Sequence, residues 1–93
     1  MEYYAKVFED YSNHYIAKIK VEKEEGLNEE EWKLKKETAI KNKAAIVAAH
    51  LASQAKVIGE EARRAKYENF DKLIDEFKEI IMNSVTKFGE YNR

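Results

Sequence analysis

Apolar residues recur along this chain at intervals of three and four, the period of one helical face. In the first third, Tyr4, Phe8, Tyr11, Tyr15 and Ile19 form one stripe, and Tyr3, Val7, His14, Ala17 and Val21 form a second beside it. This predicts a first helix over about 2–25 with a wide apolar arc. Gly26-Leu27-Asn28 then reads as a turn. Gly26 suits the left-handed position after a helix. Asn28 is a good N-cap, with Glu31 three residues on as in a capping box. Glu29, Glu30 and Glu31 place negative charge at the positive end of the next helix dipole.

The second predicted helix covers about 29–66. Ile40, Ala44, Val47, Leu51, Ala55, Ile58, Ala62 and Ala65 repeat at fours and threes without a slip, a heptad-like seam rich in alanine. Gly59 changes the residue type but not the phase, so the helix is expected to run through it, the rival being an end at Ile58 with Gly59 as cap. Near Tyr67–Asp71 the apolar face shifts by about a quarter turn, and Asn69 or Asp71 could cap a third helix. That helix, about 70–88, carries Phe70, Leu73, Ile74, Phe77, Ile80, Ile81, Val85 and Phe88 on a narrow face and ends near Gly89. One bent helix from Asn28 to Phe88 is the alternative.

The expected fold is all-α: three antiparallel helices in a single domain, 1–93, elongated around a long Ala-rich central helix. At 1.5 Å per residue the helices would be about 36, 57 and 30 Å long. Folding both flanking helices back sets Tyr4 beside His50 and Phe88 beside Ala48. The flanking helices would then cover opposite halves of helix 2 and overlap only at Ala44–Ala52, AAIVAAHLA, which is apolar almost all round. Elsewhere two helices would leave apolar surface open. Ala39, Ile46, His50 and Val57 form a further stripe on the otherwise polar side of helix 2. They are the expected self-association surface, and an antiparallel helical-bundle homodimer of coiled-coil type is its simplest product.

Composition narrows the rest. The chain has no cysteine and no proline, and its net charge is −1. No disulfide can supplement a thin core, and nothing global draws the chain to nucleic acid or anionic lipid. No apolar run approaches the roughly 20 residues needed to span a bilayer. The N-terminus lacks the basic-then-apolar order of a secretion signal. A soluble cytoplasmic protein is expected, and the Lys/Glu/Tyr-rich make-up suits a phage or mobile-element accessory protein. The tyrosines of helix 1, with Lys6, Lys18 and Lys20, partly resemble an interfacial helix. Glu2, Glu9, Asp10, Glu22, Glu24 and Glu25 oppose anionic lipid, so the tyrosine stripe reads as core.

Candidate chemistry is sparse. His50 reads as an interface histidine rather than a pH-sensitive contact or metal ligand, since no second ligand stands near it. Asp10 and His14, four apart, could share one metal or one hydrogen bond, but no HExxH or comparable set accompanies them. Ser12, Ser53 and Ser84 lack nucleophile-elbow glycines, and no Gly-rich loop could cradle phosphate. No enzyme, cofactor or metal site is expected. The function expected is a helical protein-interaction module or small regulator that self-associates and binds a protein target. Trp32 is the candidate target-binding hot spot, against a purely structural role packing on Val21 and Leu27. The alternative is a nucleic-acid-associated regulator using Lys35, Lys36, Lys43, Arg63 and Arg64, although Glu37, Glu60 and Glu61 interleave with that charge.

Overall fold

The computed structural model describes residues 3–93, so Glu2, the expected start of helix 1 and one of the acids set against lipid, lies outside the described residues. Three helices run in the order α1 Tyr3–Lys18, α2 Glu29–Arg64 and α3 Phe70–Asn92. The described chain is elongated, 54 × 18 × 18 Å. Its long dimension matches the roughly 54 Å expected of the 36-residue α2 at 1.5 Å per residue.

The first turn forms as its residues dictate. Gly26 takes the left-handed conformation at φ 85°. Asn28 caps α2 by accepting from the Glu31 backbone N–H at 2.8 Å, and its side-chain amide donates to the Glu31 carboxylate at 2.9 Å. The carboxylate thus holds the capping side chain rather than its backbone, a variant of the reciprocal box. At the other end of α2, Tyr67 N–H donates to Ala62 O and Lys66 N–H to Arg63 O, both at 3.0 Å, with Lys66 left-handed at φ 57°. This pair of bonds is a Schellman motif. It separates α2 from α3 and removes the single bent helix.

Helix 1 is shorter than its periodicity predicts. Residues 19–24 are not helical; they carry no regular secondary structure and form a strap between α1 and the turn. Ile19 and Val21 are half-buried while Lys20 and Glu22 are exposed, the two-residue alternation of extended chain. Two β-branched residues weaken the helix here. Continuing it would gather Glu22, Glu24 and Glu25 at its negative end, whereas stopping at Lys18 puts a cation there. The strap is tied down by Asn92: Val21 N–H donates to Asn92 Oδ1, and Asn92 Nδ2 donates to Phe88 O, each at 2.9 Å. Because Asn92 and Arg93 find distant partners, α3 also runs past Gly89 to Asn92 instead of stopping there.

A non-helical strap covers more length per residue than a helix and changes the register. Tyr4 meets Tyr67, with ring centroids 5.5 Å apart, and Tyr11, not Tyr4, reaches His50. α1 therefore lies along the C-terminal half of α2 and rests mainly against α3. Phe8 and Phe77 meet edge to face at 5.0 Å. The two flanking helices share one side of α2 instead of covering opposite halves. Three helices build a common core of Phe8, Ile16, Val47, Leu51, Leu73, Phe77 and Phe88. The AAIVAAHLA stretch is consequently not enclosed: Val47 and Leu51 are buried, but Ala45, Ile46, Ala49 and Ala52 are exposed.

Two core positions carry predictions. α2 is continuous through Gly59, which excludes the helix end at Ile58. A Cβ there would meet Ile74 Cδ1 and Phe77 Cε2 at 3.9 Å, ordinary van der Waals distance. Gly59→Ala should therefore stabilise the fold by about 1 kcal/mol, the helix-propensity difference, read as a rise in the thermal midpoint; a fall would mean that the α2–α3 contact needs the missing methyl. Ser12 is fully buried and its hydroxyl has no hydrogen-bond partner among the described residues. Ser12→Ala removes an unpaired polar atom and should add about 1 kcal/mol by urea unfolding. A loss of stability would show that the hydroxyl is satisfied in solution.

Candidate interaction surface

α2 presents two sides to solvent. One carries the outer stripe. Ile46 and Val57 are 59% and 55% exposed, large values for branched aliphatic side chains in the middle of a helix, and Ala39 is half-buried. Trp32, seven residues before Ala39, continues the same line toward the N-terminus of α2 and is also half-buried. An open hollow of about 490 Å³ lies between α2 and the strap, bordered by Ala39, Lys43 and Ile46 on one side and by Val21 and Glu22 on the other.

His50 stands in this stripe but is already engaged by its own chain. Its imidazole stacks on Tyr15, centroids 4.2 Å apart, and its Nε2 shares a hydrogen bond with the Tyr11 hydroxyl. It remains half-exposed between Ile46 and Val57. No sequence signal pairs Tyr11 with a residue 39 positions away; that contact depends on the strap. Val7, on α1 one turn before Tyr11, is exposed as well.

The other open side is the α2–α3 groove beside Gly59, about 370 Å³, floored by Ala55, Gly59, Phe70, Ile74 and Phe77. The Arg63 guanidinium lies 5.0 Å from the Phe70 ring centroid at its edge. Sequence periodicity places Phe70 and Ile74 on a core face, and they are indeed half-buried. The groove remains open because α1 covers the opposite side of the α2–α3 pair.

Trp32 borders a shallow hollow with Glu29, Glu30, Lys33 and Lys36 and stands apart from the core cluster, which Val21 joins. Here α2 projects beyond the end of α3: Arg93, the last residue, pairs with Glu37, its Nη2 donating to Oε1 at 2.9 Å and its Nε to the same oxygen at 3.2 Å. Those hydrogen bonds hold the Glu37 carboxyl below its ordinary pKa.

The basic residues are scattered. Lys35, Lys36 and Lys43 stand near the start of α2 and Arg63 and Arg64 at its end, roughly 40 Å from Lys36 to Arg63 at 1.5 Å per residue. Arg63 and Arg64 themselves diverge by about 100° around the helix. These five residues do not converge on one patch. His14 Nδ1–H donates to the Asp10 carbonyl at 2.8 Å, while the Asp10 carboxylate faces Lys6 at 3.3 Å, so the two side chains do not converge on a shared site. Among the described residues no three His, Cys, Asp or Glu side chains gather closely enough to hold a metal ion, and no helix is long and apolar enough to cross a membrane. No protein-family model, curated protein or solved structure matches the chain.

Proposed function

We propose that this protein is a non-catalytic helical interaction module that self-associates through the outer stripe of α2 and engages a protein target. The observation that carries this reading is the exposure of Ile46 and Val57 on one line with Trp32 and Ala39. Burying one such aliphatic side chain is worth about 1.5–3 kcal/mol. A second copy of α2 supplies the missing cover at little cost, because the stripe sits on a rigid helix braced from behind by α1 and α3. Trp32 belongs to this same line. It is therefore better placed for self-association than as a separate target anchor, and the α2–α3 groove is left as the apolar surface available to a target.

Sedimentation equilibrium over a wide range of protein concentration tests the reading. Mass rising toward twice that of the single chain supports it. A single-chain mass throughout, up to about millimolar protein, where an association worth only about 4 kcal/mol would still register, removes it.

A further inference from the structure

The outer stripe of α2 carries more information than its apolar members. Trp32, Ala39, Ile46, Ser53 and Glu60 are spaced by seven, and Lys36, Lys43, His50, Val57 and Arg64 are spaced by seven on an offset of four. Together they make the alternating three-four seam of a two-stranded coiled coil. In an antiparallel pair, members of one series face members of the other. A two-fold axis level with Ala48 then sets Ile46 against His50 of the second copy, Ala39 against Val57, Lys36 against Glu60 and Trp32 against Arg64.

Each of those layers is chemically matched. Ile46 packs against the part of the imidazole that Tyr11 and Tyr15 leave half-exposed. Val57 enters the hollow beside Ala39, small opposite large. Lys36 and Glu60 are opposite charges, and neither takes part in an ion pair within its own chain among the described residues. Arg64 lands on Trp32, a cation over the best ring for that contact. The remaining layer sets Lys43 beside Ser53, polar and without conflict.

We infer that the partner on this surface is a second copy of the same chain, antiparallel, in the register that joins Trp32 to Arg64 and Lys36 to Glu60. The inference rests on the self-association proposed for this stripe and adds its geometry. Neighbouring registers fit less well. Sliding the copies one heptad one way puts Lys43 against Ile46, sets Glu60 against the like-charged Glu29, and leaves Arg64 without a facing helix. Sliding them the other way would set Ile46 against Val57 but strands Trp32 and Lys36 beyond the partner's α2. The chosen register also gives Trp32 and the two basic ends of α2 one common purpose.

The test is a charge swap read by sedimentation equilibrium. Lys36→Glu and Glu60→Lys should each weaken association at least tenfold by setting like charges in the seam, and the Lys36→Glu/Glu60→Lys double variant should recover most of the loss. Disulfide trapping reads the register independently, because the chain has no cysteine of its own. In Ala39→Cys/Val57→Cys the two thiols lie about 27 Å apart along one helix, so any bond must join two chains. This variant should cross-link readily in air, and Ile46→Cys/Val57→Cys should not. If the unmodified chain associates but the swap restores nothing, or the second cysteine pair cross-links in place of the first, the register is wrong while self-association stands. A single-chain mass for the unmodified protein would overturn both.

Discussion

Phe8→Ala should lower the stability of the fold by about 3–5 kcal/mol, the usual loss for truncating a buried aromatic side chain. Phe8 is fully buried, and its ring meets Phe77 edge to face at 5.0 Å, so the substitution removes the central contact between α1 and α3. α1 has only 16 residues, barely past the length at which even alanine-rich isolated helices are marginal in water, so its stability comes mainly from packing. What holds it is the stripe through Ala5, Phe8 and Ile16, with tyrosines on either side. A domain of this size has roughly 5–14 kcal/mol in total, so the variant is left near the edge of folding. Its thermal midpoint should fall by more than about 12 °C, taking 4 °C or more per kcal/mol. Phe8→Leu, which keeps most of the volume, should lose about a third as much. Hydrogen exchange should then show α1 opening before the α2–α3 hairpin. A loss below about 1 kcal/mol for Phe8→Ala would mean that α1 is not docked on α3 in solution.

The same helix shows where sequence alone stops. The boundary at Gly26 and Asn28 could be read directly, because a left-handed glycine and a capping side chain act within a few residues of themselves. The end of α1 could not be read from periodicity, since Ile19 and Val21 satisfy both a helical stripe and an extended alternation. Their β-branching and the glutamates after them were the deciding signals, and they act through helix stability rather than pattern. The strap in turn sets the docking of all three helices. It moves Tyr11 rather than Tyr4 to His50, puts α1 and α3 on one side of α2, and leaves Ala45 and Ala49 open to solvent. Likewise α3 passes Gly89 because Asn92 and Arg93 are held by Val21 and Glu37, 71 and 56 residues away. The exposed line through Ile46 and Val57 was legible because it depends only on the period of one helix.

Ile46→Lys/Val57→Lys should abolish self-association and leave the fold intact. Both side chains are more than half exposed, so neither substitution opens a cavity. Lysine is also a better helix former than either residue it replaces. Far-UV circular dichroism should keep its shape at concentrations where the unmodified chain is assembled. The effect on assembly is large because a two-fold interface uses each residue twice. Two substitutions delete four apolar contacts, each worth about 1.5–3 kcal/mol, and set four ammonium groups against an apolar seam. A loss of about 6 kcal/mol or more is expected, a weakening above ten-thousandfold. Ala45→Lys places the same charge on a different exposed side of α2, about 100° from Ile46, and should leave association unchanged. The comparison is decisive because it separates the position of the charge from its presence. If both variants dissociate alike, net charge alone governs assembly. If neither does, the copies meet elsewhere, and the α2–α3 groove becomes the surface to alter next.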